Sequence, residues 1–416
     1  MNLYKNYFST EAQRAQRYTE SNIKKLCETL SSLWLCVEKK IKIFSIIFII
    51  IFCLSSCRKD IIVYPPENDD LTNPEFTSVQ GFYLLNEGNM GSNKASLDYF
   101  DYETGNYYRN IYPNVNPNVP KELGDVGNDI AIYGSKLYAV INCSHKVEVM
   151  DAKTAKRIGQ INIQNCRNIT FDDGFAYITS YTGPVDPNQQ QIGYVAKVDT
   201  SSLKIVEKCL VGYQPDGLVI SNGKIYVANS GGYLTPNTEN RVSVIDVLTF
   251  KEIKNIPVAK NLHRIYADKY GNVWVSSRGD YYGSPSKLYC LDSKTDQLTD
   301  SISIAVSNFY LDEDKLYIVS AVWSYETMSN EVNYGIVDVV SKQIITNNFI
   351  TDGTETGIVC PYGIAVNPIT KDILVADAKN FIYPGILYCF DKEGKKRWEV
   401  HTGDIPAHFV FLLKKS

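Results

Sequence analysis

The chain has 416 residues, 44% hydrophobic and 21% charged, with a formal charge of −4, so its bulk is expected to fold around a core rather than stay disordered. The first 56 residues hold 8 Lys and Arg against 4 Asp and Glu; the rest carries 34 against 42, a net of −8. An excess of acid on that scale argues against nucleic acid as a partner, because phosphate binding needs clustered cations. The 30 tyrosines suit half-buried strands and ligand-facing loops, each having an apolar body and a polar tip.

In chain order, Lys39, Lys40 and Lys42 precede the apolar run Ile43–Leu54, a charged region and hydrophobic core of signal-peptide length. The run is shorter than the roughly 20 apolar residues a membrane-spanning helix needs. It ends Leu54-Ser55-Ser56-Cys57, which resembles the lipobox of bacterial lipoproteins. That resemblance implies cleavage before Cys57, lipidation of its thiol and attachment to the membrane by acyl chains. The polar stretch Met1–Cys36 is unusual ahead of a signal peptide. It leads to the expectation that translation starts near Leu35 or Val37 from a non-AUG codon, since no Met lies between Met1 and Met90. Sequencing of unprocessed precursor that began at Met1 would overturn this. Residues 1–56 are thus read as leader and signal, and 57–79, with Pro65, Pro66, Pro74 and several Asn and Asp, as a solvated tether. Arg58-Lys59-Asp60 loosely resembles the charged signals of Bacteroidota surface lipoproteins, so the expected location is the outer membrane, facing the surface.

From residue 80 to 416 one unit recurs: a short apolar strand, a turn, a strand of the Lys-Leu-Tyr type, a variable loop, a strand ending in Asp, a turn and a last strand. The second strands are centred on Tyr83, Tyr138, Tyr177, Tyr226, Trp274, Tyr317 and Leu374. The closing aspartates are Asp101, Asp151, Asp199, Asp246, Asp292, Asp338 and Asp391, spaced 46 to 53 residues apart. An Asp followed by Thr, Ser or Gly makes a turn because its carboxylate accepts backbone N–H groups, so a structural role is preferred to a catalytic one. Seven four-stranded units predict an all-β, seven-bladed β-propeller. The first unit lacks an opening strand, while Ala407–Leu413 follows the last unit. Pairing Ala407–Leu413 with Phe82–Leu85 would close the ring and remove the open sheet edges of a solenoid.

In such a ring the loops after the second strands and the connections between blades share one face. On that face the sequence offers Asn86, Glu87, Asn89, His145, Tyr181, Tyr233, Arg278, Tyr282, Trp323, Tyr325 and Tyr383 from the former, and Arg167, Asp216, His263, Arg264, Tyr362 and His408 from the latter. Aromatic platforms with a few polar groups fit an organic ligand, although some of these rings could instead brace the loops. His145, His263 and His408 fall on that face without metal-ligand spacing, and no metal or cofactor is expected. The Gly88 and Gly91 loop lies between strands, which excludes a phosphate loop, and no serine-nucleophile elbow occurs. Of the cysteines, Cys209, Cys290 and Cys389 read as core, and Cys143 with Cys166 as a possible disulfide.

The stretch Phe82-Tyr83-Leu84-Leu85-Asn86-Glu87-Gly88-Asn89-Met90-Gly91-Ser92-Asn93, together with Leu123-Gly124-Asp125-Val126-Gly127-Asn128-Asp129-Ile130, resembles YncE-like propeller lipoproteins of Bacteroidota over residues 81–413. That group includes the BtuG-type surface proteins that capture cobalamin for a TonB-dependent outer-membrane transporter. The resemblance implies a non-catalytic surface protein capturing a bulky organic ligand, with cobalamin the leading candidate and such a transporter the partner. Two alternatives stay open: a propeller enzyme of the metal-assisted lyase type using His145, His263 or His408, and a protein- or glycan-binding module on the same face.

Overall fold

The computed structural model describes residues 69–70, 79–119, 122–183, 192–232, 238–280, 284–324 and 329–414, all within the compact unit Pro66–Ser416. The signal segment, the Cys57 anchor and most of the tether lie outside the described residues.

Seven antiparallel sheets make a seven-bladed β-propeller. The first blade contains β1 (Asp69–Asp70), β2 (Val79–Asn86), β3 (Ser96–Asp101) and β4 (Asn106–Tyr108). A five-residue helix, α1 (Ile111–Val115), then buries Tyr112. The second blade is β5 (Gly127–Tyr133), β6 (Lys136–Ile141), β7 (Lys146–Asp151) and β8 (Arg157–Asn162). The third is β9 (Cys166–Asp172), β10 (Phe175–Ser180), β11 (Ile192–Asp199) and β12 (Lys204–Tyr213). The fourth is β13 (Pro215–Ser221), β14 (Lys224–Asn229), β15 (Arg241–Asp246) and β16 (Lys251–Pro257). The fifth is β17 (Leu262–Ala267), β18 (Asn272–Ser277), β19 (Lys287–Asp292) and β20 (Gln297–Ile302). The sixth is β21 (Asn308–Asp312), β22 (Lys315–Ser324), β23 (Ser329–Asp338) and β24 (Gln343–Thr346). The seventh is β25 (Pro361–Val366), β26 (Ile373–Asp377), β27 (Pro384–Phe390) and β28 (Lys396–Asp404).

The last strand, β29 (Pro406–Leu413), is the inner strand of the first blade, with Phe411 opposite Phe82 and Phe409 opposite Leu84. The closure expected from the sequence is therefore present. Within the segment expected to be a tether, Asp69 and Asp70 pair with Tyr107 and Asn106 on the outer edge of the same blade. The seven repeated aspartates behave as turn caps: Asp151, for example, accepts the N–H groups of Lys153 and Thr154, and Asp391 those of Glu393 and Lys395.

The apolar core is divided among the gaps between blades. One cluster joins Tyr83, Leu85 and Leu97 of the first blade to Leu137, Ala139 and Ile141 of the second. Another joins Leu374, Leu387 and Trp398 of the seventh to Phe82, Phe100 and Tyr107 of the first, across the point of closure. Each blade presents alternate strand residues to its two neighbours, as the period of two requires.

Candidate ligand site

The inner strands carry a local irregularity that the repeat pattern does not show. In six of the seven blades the pairing of the first strand with the second slips at the same end, leaving an extra residue in the inner strand. The sixth blade stays in register. A bulge of this kind breaks the alternation and re-aims side chains. Here it lets neighbouring residues such as Arg167 and Asn168, or His263 and Arg264, both enter one axial network.

The network spans the ring. Arg167 donates to Asn128 at 2.9 Å and lies 3.4 Å from Asp216, whose Oδ1 also takes the Asn168 amide at 2.9 Å. Arg264 donates to Asn168 Oδ1 at 3.2 Å and approaches His408 Nδ1 at 3.4 Å. His408 Nε2 is 3.0 Å from Glu87 Oε1, and the Tyr362 hydroxyl donates to the same carboxylate. Arg278 reaches His263 Nε2 at 2.8 Å, and that nitrogen lies 3.7 Å from Asp216. Of the residues singled out in the sequence, Glu87, Arg167, Asp216, His263, Arg264, Arg278, Tyr362 and His408 are thus brought together. Six of these are not loop residues as expected. Arg167, Asp216, His263, Arg264, Tyr362 and His408 lie in β9, β13, β17, β25 and β29, where the bulges place them.

Below the network lies a cavity of about 290 Å³ to which all seven inner strands contribute. Arg264, Asn168, Asn308, Asp129 and His408 form its polar part, and Ile130, Ile169, Leu218, Ile265, Ile364 and Phe409 an apolar belt one level further along six of the seven inner strands. Gly217 and Gly363 interrupt the polar level because the next blade passes too close. A Cβ on Gly217 would stand 2.6 Å from the His263 carbonyl oxygen, and one on Gly363 2.7 Å from that of Ala407.

Burial and neighbouring charge set the protonation states. Burial alone would raise the Asp216 carboxyl, but the Arg167 guanidinium, with Arg278 and Arg264 beyond it, holds it well below the usual carboxylate range. Burial, aided by Arg278, drives His263 well below the ordinary imidazole range, so its ring is neutral. Asp129 is pushed up by burial, against the opposing pull of His408, the Ile169 N–H and Arg264. Burial and Glu87 raise the Tyr362 hydroxyl, so it stays protonated and donates.

Other expected site residues lie elsewhere. Asn86 is fully buried in β2, its amide donating to Ser96 Oγ, because that strand runs one residue further than expected. His145 is exposed on its loop, with Nδ1 3.2 Å from Asn165 N and Asn142 O. Asn89 sits in a turn whose Gly91 and Asn93 N–H groups are held by Asp125. Tyr181 is buried against Arg167, with the guanidinium 5.5 Å from the ring centre, and Tyr383 is exposed. Trp323 was expected to open a loop; instead it pairs with Asn330 in a longer β22–β23 hairpin. Its side chain, and the whole of Tyr233, Tyr282 and Tyr325, lie outside the described residues. Cys143 and Cys166 are free thiols rather than a disulfide. Cys166 is packed in the core between the second and third blades, while Cys143 stays half-buried beside Asn142. Asn128, Asp129, Asn168 and Asn308 were missed. Aligning the seven inner strands shows a polar residue at one shared level in five of them: Asp129, Asn168, Arg264, Asn308 and His408.

Among the described residues no group of three or more His, Cys, Asp and Glu side chains is arranged to hold a metal ion. His263 and His408 each have a guanidinium against one ring nitrogen.

Fold and site together define a seven-bladed propeller with a polar axial cluster over a central cavity. The chain belongs to the family described as Domain of unknown function (DUF5074), which it matches over residues 80–412. No curated protein matches it. Among solved structures it is similar to a quinonprotein alcohol dehydrogenase-like protein (BT1487) from Bacteroides thetaiotaomicron, at 15% identity and a TM-score of 0.53, covering 81% of this chain and 79% of that one. It is also similar to hydrazine synthase of Kuenenia stuttgartiensis, at 17% identity and a TM-score of 0.51, covering 64% of this chain and 77% of that one. At these identities the likeness is one of fold.

Proposed function

We propose that this chain is a non-catalytic ligand-capture protein of the outer membrane and that its binding face is the end of the ring bearing the axial cluster. The observation that carries this reading is the convergence of eight charged or polar side chains, six of them aimed by bulges, at the mouth of a central cavity. A ring needing only stability would fill its axis with apolar side chains, since buried charges cost free energy unless paired. The family resemblance points the same way. Glu87, inside the stretch Asn86–Asn93 that resembles YncE-like lipoproteins, accepts hydrogen bonds from Tyr362 and His408 across the closure. Cobalamin remains the leading ligand. A corrin ring is too large for a cavity of about 290 Å³, so it would lie across the face and insert only a substituent. A TonB-dependent transporter would then receive it, and a Cys57 lipid anchor would hold the chain at the membrane.

The test is calorimetric titration of the mature chain with cyanocobalamin, repeated after Trp323→Ala with Tyr325→Ala and after Arg264→Gln. Saturable binding weakened by either change supports capture on this face. Binding that ignores both changes moves the ligand elsewhere, and no binding removes cobalamin. A metal-assisted lyase would need two of His145, His263 and His408 on one ion; His145 lies apart, and guanidinium groups occupy ring nitrogens of the other two.

A further inference from the structure

The hydrogen-bond roles in the axial cluster follow from one fact: a guanidinium can donate but not accept. Arg278 therefore donates to His263 Nε2 across 2.8 Å, and the single proton of this neutral ring sits on Nδ1. By the same argument His408 accepts from Arg264 on Nδ1 and donates from Nε2 to Glu87. The two histidines are thus opposite tautomers.

Among the buried donors of this cluster, two fall on consecutive residues of one bulge. His263 Nδ1 and Arg264 Nε are both buried and meet no acceptor in the protein. Each residue is more than nine-tenths buried, and Arg264 lines the cavity. The acceptors that Arg264 does have, Asn168 Oδ1 and His408 Nδ1, are uncharged. A buried N–H without a partner costs free energy, more when it belongs to a charged group, so the unpaired Arg264 Nε–H at the cavity wall calls for an acceptor. The nearby acids are already engaged. Glu87 accepts from His408 and Tyr362, Asp216 from Asn168 and Arg167, and Asp129 from the Ile130 and Ile169 N–H groups.

We propose that the cavity mouth is an oxyanion site, where the carboxylate or phosphate of a ligand accepts a hydrogen bond from Arg264 Nε–H. The adjoining part of the ligand is apolar, since Ile130, Ile169, Leu218, Ile265 and Phe409 form the wall below. This rests on the reading of this face as a ligand site and adds the chemical class of the group it takes. Charge-assisted hydrogen bonds to a fixed guanidinium give the selectivity, because a neutral hydroxyl accepts from the same donor more weakly than an anion does.

The probes are hexanoate, hexanol, hexyl phosphate and inorganic phosphate, each titrated into the mature chain by calorimetry. Hexanoate or hexyl phosphate is expected to bind about tenfold or more tighter than hexanol, the ratio set by a charged hydrogen bond. The stronger of the two anions identifies the headgroup, and inorganic phosphate shows whether the apolar arm contributes. Arg264→Gln should abolish the preference. Arg264→Lys, which keeps the charge but loses Nε–H, guards against misfolding and should weaken it. Equal binding of hexanoate, hexyl phosphate and hexanol, no binding of either anion, or a preference unchanged in Arg264→Gln would overturn the proposal. Cyanocobalamin titrated into the same samples separates the two readings. Anion binding without cobalamin binding keeps the oxyanion site and removes cobalamin. Cobalamin binding without anion preference keeps capture and removes the oxyanion site.

Discussion

His263 should make this propeller acid-sensitive in a defined window. Its ring is buried, and Arg278 donates to Nε2, so the folded chain holds it neutral well below the ordinary imidazole range. In the unfolded chain it titrates near 6.5. Below that value the unfolded state takes up a proton that the folded state refuses, and stability falls as the pH falls. Each pH unit below that value is worth up to about 1.36 kcal/mol, so between pH 7.5 and 5.0 the loss approaches about 2 kcal/mol. Asp216, 3.7 Å from Nε2, opposes this by favouring the imidazolium, but Arg278, Arg264 and Arg167 act against it, and the net direction is downward. The assay is denaturant unfolding of wild type and His263→Gln at pH 7.5, 6.5, 5.5 and 5.0. The substituted amide does not titrate, so the difference between the chains isolates His263; effects from Asp129 and other groups common to both largely cancel. The wild type should lose about 2 kcal/mol more than the variant across the window. Parallel curves would refute the buried neutral ring and, with it, the tautomer assignment.

Asp216→Asn should destabilise the fold by about 3 kcal/mol, because it leaves Arg167 and its neighbouring guanidiniums without a buried counter-charge. As the folded pKa of Asp216 is depressed, its contribution is present above about pH 4 and lost as the pH falls below that, which the same unfolding series extended to pH 3 would detect. Gly217→Ala should cost about 1–3 kcal/mol, since its Cβ would press on the His263 carbonyl 2.6 Å away; an unchanged melting temperature would show that the blades separate more easily than the packing implies. In the native chain an alkylating reagent should modify Cys143, which is half-buried, and spare Cys166 until unfolding; mass loss corresponding to a disulfide would contradict the free thiols.

The repeat was readable because each blade obeys local rules: alternation along a strand, and an Asp whose carboxylate closes the following turn. Closure was readable for a different reason. An apolar strand at one end and a missing strand at the other can satisfy each other, as Phe411 and Phe82 do. The bulges were not readable, because a bulge belongs to the register between two strands and neither strand alone specifies it. This is why the sequence pattern puts His263 and Arg264 in a blade-joining loop although they form part of β17. It is also why Asn168 and Asn308 do not stand out in the sequence, and why Asn86, the last residue of its strand, reads there as a loop residue. Trp323 failed similarly: its pairing with Asn330 depends on how far the hairpin zips up, which composition does not state.

The division of labour between blade interfaces and axis decides what mutagenesis of this site can show. The apolar clusters lie between neighbouring blades, as Tyr138, Val149 and Ile178 do between the second and third. The charged network lies at the axis and meets those clusters only through the inner strands. Replacing Arg264 by Gln removes a buried charge whose acceptors, Asn168 and His408, are neutral, so it leaves no ion stranded by loss of a direct partner. Replacing Asp216 does strand Arg167. The two substitutions therefore separate binding from folding. Arg264→Gln should alter ligand affinity at nearly constant stability, while Asp216→Asn should lower both. If Arg264→Gln unfolded the chain as readily as Asp216→Asn, the axial cluster would be a structural brace, and the case for a ligand site at the cavity mouth would fall with it.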